Sequence, residues 1–227
     1  VTQEKAAQGA DRLKADGLSA SGQAVDALSK ESLVACRDTV IAEHGTVDIL
    51  VNLVGGNLPE ASTTDGRTFF DLPTEAFDKA IAINLFGGAI LPTQAFLECM
   101  VENPDGGAVI NTASMNAIRP LTRIPGYSAG KAAVANFTQW LAVHVAQEYT
   151  PKVRVNAIAP GAFQSEMMDG MLEKILSDKK EVNRRFEMLM DQKVLWKFGR
   201  CDSWYSRTSS VGSECRAVAG GKFGWEF

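Results

Sequence analysis

Three short apolar runs, each closed by glycine or small polar residues, constrain the fold of this chain more than any other feature. They span residues 47–54, 107–114 and 153–159, and they end at a Gly-Gly pair, a serine and a Pro-Gly pair. Near-continuous β-branched and aliphatic runs are typical of strands that are buried on both faces of a parallel sheet. Helical periodicity lies between them, and strand–helix–strand units predict an α/β fold built on a doubly wound parallel sheet.

Four stretches show helix signals: the first is polar and rich in Ala, Lys, Gln and Glu, and the second and fourth carry apolar residues at helical spacing. These helices are predicted over residues 1–17, 29–43, 74–102 and 127–148. In the third of them, Gly87-Gly88 and Pro92 are expected to cause irregularities. The length of 227 residues fits one large α/β domain, which we assign to residues 1–198. Residues 199–227 are rich in Gly and Ser and are predicted to be an atypical tail.

Composition and charge exclude several classes of function. The net charge of −4 argues against nucleic acid as a partner, because phosphate binding requires a basic surface. The apolar run from Ala80 to Leu91 is interrupted by Asn84 and is too short to span a bilayer. No charged segment followed by an apolar stretch opens the chain, so no secretory signal is expected. We therefore predict a soluble, cytoplasmic protein that binds neither a membrane nor nucleic acid.

The cysteines and histidines do not suggest a metal site. Four cysteines and two histidines are scattered along the chain, and no Cys-x-x-Cys pair occurs. We expect free thiols in a reducing compartment and no bound metal.

Candidate catalytic residues follow the predicted strands, where parallel α/β sheets bind their ligands. Tyr127 and Lys131 are four residues apart, so on a helix they share one face. An ammonium group favours the phenolate and makes the phenol a usable proton donor and acceptor. Ser114 ends a strand where its hydroxyl can bond a substrate carbonyl, and the amide of Asn84 can hold a water near the lysine. The alternative is a core tyrosine beside a surface lysine.

These residues resemble the catalytic Asn, Ser, Tyr and Lys of the short-chain dehydrogenase/reductase family. The matching motifs are Asn-Leu-Phe-Gly at Asn84, Asn-Thr-Ala-Ser at Ser114 and Tyr-Ser-Ala-Gly-Lys at Tyr127 and Lys131. The resemblance covers residues 1 to about 170. It implies a Rossmann-like fold, an NAD or NADP cofactor, a small-molecule ketone or alcohol as substrate, and a homo-oligomer. Within the family, residues 114–140 look like the D-mannonate oxidoreductase (D-fructuronate reductase) type.

The resemblance also implies which residues bind the cofactor and the substrate. Asp26 matches the aspartate that contacts adenine, although a role in capping the following helix is equally open. The implied cofactor residues are Asp26, Ala27, Asn52, Val54, Gly55, Tyr127, Lys131, Pro160, Gly161, Phe163 and Ser165. The implied substrate residues are Ser114, Asn116, Arg119 and Arg123, and the two arginines suit a sugar-acid carboxylate. Solvated loop arginines or subunit contacts are the alternative.

The chain also departs from the family pattern. Leu53 and Val54 replace an Asn and an Ala of the usual strand-end motif. The Gly-rich turn that holds a pyrophosphate is absent from the 227 residues, so the sheet is expected to lack its first strand–helix–strand portion. The residue that selects NAD or NADP is expected to precede Val1.

The expected function is hydride transfer between a nicotinamide cofactor and a secondary alcohol or ketone, with a sugar acid preferred. A non-catalytic remnant that cannot hold the dinucleotide is the rival interpretation. A related epimerase or dehydratase is a third, which the length of the chain disfavours because such enzymes need a larger substrate domain.

Overall fold

The computed structural model describes residues 2–64, 66–119 and 123–161. These residues fall into two units, of which the first is Val1–Ala157 and the second begins at Ile158. Of the second unit, only residues 158–161 are described. The predicted boundary at residue 198 and the tail at 199–227 therefore lie outside the described residues.

Five α-helices and three strands alternate through the described part of the chain. In order they are α1 (Gln3–Ala15), α2 (Lys30–His44), β1 (Ile49–Asn52), α3 (Thr74–Ile81), α4 (Leu91–Glu102), β2 (Gly107–Thr112), α5 (Pro125–Glu148) and β3 (Val153–Ile158). A π-helical segment, Ala82–Ile90, joins α3 to α4. Short 3₁₀ turns lie at Pro59–Ala61, Phe69–Asp71 and Met115–Ala117.

The strands form a three-stranded sheet in the order β1–β2–β3. Strands β1 and β2 are parallel, and their register runs from Ile49 opposite Ala108 to Asn52 opposite Asn111. The structure confirms the predicted α/β fold with a parallel sheet, because a helical crossover joins these two strands.

The core lies between β2, β3 and the helices that cover them. Its largest cluster of buried residues consists of Met100, Val109, Leu141, Val145, Val153 and Val155. A smaller cluster of Leu33, Ala95 and Phe96 packs α2 against α4. The apolar stripe of α5 is thus mostly core, as its helical spacing predicts.

Strand β1 differs from the prediction that it is buried on both faces. Ile49 is 63 % exposed and Val51 is 47 % exposed, although both belong to an apolar run. The reason is positional: β1 is the edge strand of the described sheet, and α4 packs against it while Ile49 and Val51 remain open. An apolar run predicts a strand, but it does not predict how many of its faces are covered.

The helical stretch Thr74–Glu102 is longer than its interrupted apolar run suggests. By length and composition it is the one helix among the described residues that could cross a membrane. Half of its most apolar window is buried inside the protein, and core helices of soluble proteins pass the same test. The irregularity expected at Gly87-Gly88 is present as the π-helical segment.

Candidate active site

Ser114 lies where the sequence places it, directly after β2. It precedes the 3₁₀ turn Met115–Ala117, and its Oγ accepts a hydrogen bond from the backbone N–H of Asn116 at 3.2 Å. The side chain is buried. An extended residue that ends a strand and caps the next turn has its hydroxyl fixed by local geometry. Ser114 therefore presents an ordered hydroxyl beyond the carboxyl end of the sheet.

Tyr127 and Lys131 lie in the first two turns of α5. The helix begins at Pro125, a position where proline is favoured because its missing N–H would be unpaired anyway. The Nζ of Lys131 lies 5.9 Å from the centroid of the Tyr127 ring. The spacing of four residues therefore brings the ammonium over the ring of Tyr127, on the face that the two side chains share.

Lys131 is almost fully buried, with 3 % of its surface exposed. Its Nζ donates a hydrogen bond to the backbone carbonyl of Thr112 at 2.7 Å. Burial disfavours the ammonium and lowers the pKa of Lys131 from 10.5 to about 8. Among the described residues no carboxylate forms an ion pair with it. At neutral pH it is a mostly charged group beside a tyrosine, held by the carbonyl of Thr112.

Asn84 is fully buried in the π-helical segment, and its amide is already engaged. Its Nδ2 donates to the carbonyls of Gly56 at 2.8 Å and Ala80 at 2.9 Å, and its Oδ1 accepts from the N–H of Gly56 at 3.0 Å. That this amide holds a relay water stays a prediction. Both amide protons are used to fix the backbone of Gly56 and the preceding helical turn.

Gly55 brings Asn84 and Lys131 together at the end of β1. A Cβ at this position would lie 2.7 Å from Asn84 Oδ1 and 2.9 Å from Lys131 Nζ, and the φ angle is +145°. Both contacts are shorter than real Cβ contacts, so only glycine fits here. The structure thus unites the ends of β1 and β2 with α5 and the π-helical segment around one point.

Asp26, Ala27 and Val54 are further implied cofactor residues, and each has a different environment. Asp26 is exposed, and its Oδ1 accepts from the N–H of Leu28, whereas Ser29 is the N-cap of α2. Asp26 therefore forms a turn before the helix and does not cap it. Ala27 lies against Gly87, Val54 lies against Gly88, and both contacts involve backbone carbonyls.

The remaining implied cofactor residues are Asn52 and the residues after β3. The amide of Asn52 is buried and donates to Thr93 of α4 and to Asn111 of β2. Its assignment to the cofactor stays a prediction, as do those of Pro160 and Gly161, which belong to the second unit. Phe163 and Ser165 lie outside the described residues.

The implied substrate residues lie on the segment between Ser114 and Tyr127. Asn116 is buried, and its Oδ1 has no hydrogen-bond partner among the residues that the structure describes. Arg119 is exposed. Arg123 has φ +78°, a strained value for a non-glycine residue, and its carbonyl accepts from the N–H of Thr63 at 2.8 Å. The structure therefore anchors this segment at both ends.

Sequence reasoning missed Asn111, Thr93 and Thr138 as structural partners of the site. Their hydrogen bonds connect β1, β2, α4 and α5. The available signal was an asparagine in each of two apolar strands, because a buried amide requires partners.

Comparison with known proteins places the chain in a family. A family model described as short chain dehydrogenase matches residues 1–175. The chain belongs to this family. It is 37 % identical over 179 residues to an uncharacterized oxidoreductase, UxuB, of Bacillus subtilis (strain 168), which covers 75 % of this chain and 63 % of the relative.

Two solved structures of the family carry a bound dinucleotide. A candidate D-mannonate oxidoreductase from Haemophilus influenza with bound NAD is 38 % identical, with a TM-score of 0.67, over 73 % of this chain and 61 % of that one. An NAD⁺-bound xylitol dehydrogenase is 26 % identical, with a TM-score of 0.63, over 74 % and 60 %. The chain spans less than two thirds of the length of these relatives.

The described residues fit the nicotinamide half of such a cofactor. At Gly55 there is no side chain in front of the Lys131 ammonium, so a ribose hydroxyl can approach it. Tyr127, Lys131 and Gly55 are the residues that would hold this half. The Gly-rich turn that holds a pyrophosphate elsewhere in the family is not among the 227 residues.

Proposed function

We propose that this protein is a nicotinamide-dependent oxidoreductase that interconverts a secondary alcohol and a ketone. The observation that carries the proposal is the buried ammonium of Lys131, which forms no ion pair with the described residues and lies beside the ring of Tyr127, on the helix that follows Ser114. A structural tyrosine requires no such cation. NAD or NADP, when bound, supplies the hydride.

Each residue has a distinct role in this proposal. In the direction of ketone reduction, the hydroxyl of Tyr127 gives its proton to the substrate oxygen as the carbonyl carbon gains a hydride. The ammonium of Lys131 stabilises the phenolate that remains. The hydroxyl of Ser114 donates a hydrogen bond to the substrate oxygen and orients the carbonyl. Asn84 fixes Gly56 and so keeps Gly55 against Lys131.

The substitution Tyr127→Phe tests this function directly. It removes the proton donor and leaves the ring against Lys131, so we expect the rate of ketone reduction to fall by about 10²- to 10⁴-fold. Tyr149→Phe is the matched control, because Tyr149 is exposed at the end of α5. Ketone reduction by Tyr127→Phe at a rate near that of the wild type would contradict the proposal.

We further propose that the substrate is a sugar acid similar to D-mannonate or D-fructuronate. Support comes from Arg119 and Arg123, which lie between Ser114 and Tyr127 in the sequence, and from the candidate D-mannonate oxidoreductase among the similar structures. A guanidinium binds a carboxylate with two parallel hydrogen bonds. The comparison of kcat/KM for a keto sugar acid and for the corresponding ketone without the carboxylate tests this class. Equal values would exclude it.

We also propose that the protein forms a homo-oligomer through the outer face of α5. Trp140 and Val143 are exposed there, and large apolar side chains in such a position are typical of an interface. Sedimentation of the wild type and of Trp140→Glu tests this proposal. A monomeric wild-type chain would contradict it.

The second candidate function is a remnant that keeps the catalytic residues but does not bind the dinucleotide. The matches to a short chain dehydrogenase model and to named oxidoreductases favour the oxidoreductase over this remnant. Thermal unfolding with and without NADH or NADPH separates the two candidates. A ligand that binds only the folded state raises the Tm, so a clear rise would reject the remnant.

A further inference from the structure

A chain of buried side-chain hydrogen bonds crosses four elements next to the site. Asn52 of β1 donates through Nδ2 to Thr93 Oγ1 of α4 at 3.0 Å and to Asn111 Oδ1 of β2 at 2.8 Å. Asn111 Nδ2 donates to Thr138 Oγ1 of α5 at 2.9 Å, and the Thr138 hydroxyl donates to the carbonyl of Val134 at 2.7 Å. None of the four polar side chains is more than 5 % exposed.

The bond between Asn111 and Thr138 ties the strand that leads to Ser114 to the helix that carries Tyr127 and Lys131. The next residue along β2, Thr112, accepts the hydrogen bond from Lys131 Nζ. Two consecutive residues of β2 are therefore bonded to the same helix. A change in the distance between α5 and β2 alters both bonds together.

We propose that Thr138, acting through Asn111, is a positioning residue that sets the placement of Lys131 and Tyr127 relative to Ser114. This inference rests on the proposed function. A buried amide N–H without an acceptor is strongly disfavoured, so the pair holds α5 at one separation from β2. Catalytic groups must be placed within fractions of an ångström, and a small displacement of α5 changes the rate more than it changes binding.

Thr93 provides a matched control within the same network. Like Thr138, it is a buried threonine whose Oγ1 accepts from an asparagine amide. It lies on α4, which carries none of the proposed catalytic residues. If the network only stabilises the fold, the substitutions Thr93→Val and Thr138→Val will have the same consequences. A positioning role predicts that they differ.

The experiment compares Thr138→Val, Thr93→Val and the conservative variant Thr138→Ser in the full chain. We expect similar losses in the denaturation midpoint for the two valine variants. For Thr138→Val we expect kcat for ketone reduction to fall by about tenfold or more, with KM changed by less than about twofold. Thr93→Val keeps the kcat of the wild type, and Thr138→Ser, which retains the hydroxyl, restores it.

The titration of Lys131 gives a second measurement that needs no activity. Lysine labelled with ¹³C at Cε, assigned with Lys131→Arg, reports its pKa by NMR. In Thr138→Val we expect this pKa to fall, because the bond to the Thr112 carbonyl that favours the ammonium is weakened. In Thr93→Val it stays at the wild-type value.

The outcomes separate this inference from the proposed function. Equal effects of the two valine variants on kcat, or equal Lys131 titrations, would overturn the positioning role of Thr138 and leave the proposed function intact. If the wild-type chain reduces no ketone, the proposed function fails and the titration alone decides the inference.

Discussion

The two sides of the sheet differ sharply in how they are built. On the side of β2 and α5, the site residues are buried and linked by hydrogen bonds, and Val109, Val134 and Val145 are fully enclosed. On the outer side of β1, Ile49, Val51 and Leu53 are exposed. Strands β1 and β2 are both largely aliphatic, so the difference arises from what covers each strand.

The two sides also differ in the groups that they carry. The groups proposed to move protons lie on the enclosed side, where burial lowers the pKa of Lys131 and short bonds fix its position. The residues assigned to adenine, such as Asp26, lie among exposed residues. Contacts among the described residues therefore hold the groups proposed to move protons. Three predictions test this statement.

The largest effect is expected at Gly55. In Gly55→Ala the new Cβ meets Asn84 and Lys131, so we expect kcat/KM for ketone reduction to fall by about 100-fold. Gly9→Ala is the control, because no atom lies within 4 Å of its Cβ in the exposed helix α1. Gly9→Ala should keep the wild-type rate. Its free energy of unfolding should rise by about a few tenths of a kcal/mol or more, because alanine favours a helix more than glycine does. Equal rates for both variants would show that the enclosed site tolerates displacement.

The second prediction concerns the effect of pH on stability. The pKa of Lys131 is about 8 in the folded chain, against 10.5 as its ordinary value, so between these pH values the unfolded chain binds more protons. The contribution of Lys131 to the free energy of unfolding therefore rises with pH across that window. At about 1.4 kcal/mol per pH unit, the total rise is about 3 kcal/mol.

Urea denaturation near the two ends of this window, at about pH 7.5 and about pH 10.5, measures the rise in the free energy of unfolding. In Lys131→Met the difference between the two pH values should be smaller than in the wild type by this amount. Lys152→Met, at an exposed lysine, should keep the wild-type difference. A Lys131→Met profile parallel to that of the wild type would mean that Lys131 is hydrated in solution.

The smallest effect is expected for two valines on neighbouring strands, each changed to alanine. Val109 of β2 has no exposed surface, so Val109→Ala removes two carbons from the core and should cost about 2 kcal/mol. Val51 of β1 is nearly half exposed, and Val51→Ala should stay within about 0.5 kcal/mol of the wild type. Denaturant unfolding measures both free energies. Similar losses would indicate that the outer side of β1 is covered in solution.

Much of the fold follows from patterns within single elements. The periodicity of α5 and the apolar runs of β2 and β3 predict these elements to within a few residues. The exposure of β1 does not follow, because the residues of a strand carry no information about its neighbours. The polar turn at Asp26, before the N-cap Ser29, shows the same limit, since helix capping and a turn use the same residue types.

The site was predictable in its members and less so in their roles. Tyr127 and Lys131 approach each other because their spacing is local. The sequence does not show that the amide of Asn84 bonds the backbone of Gly56, which is distant in sequence, and of Ala80. The fit of Gly55 against Lys131 depends on the packing of β1 and α5. Such contacts between distant segments are set by tertiary structure and leave no mark on either segment alone.

The pairing of Asn52 with Asn111 has a consequence for how the chain finds its fold. Strands β1 and β2 are both largely aliphatic, and the register places the asparagine of one opposite the asparagine of the other. Sliding one strand by a single residue places Val51 or Leu53 opposite Asn111 and leaves two amides in the interior without each other. The asparagines thus disfavour misaligned folding intermediates, a selectivity that aliphatic side chains alone do not supply.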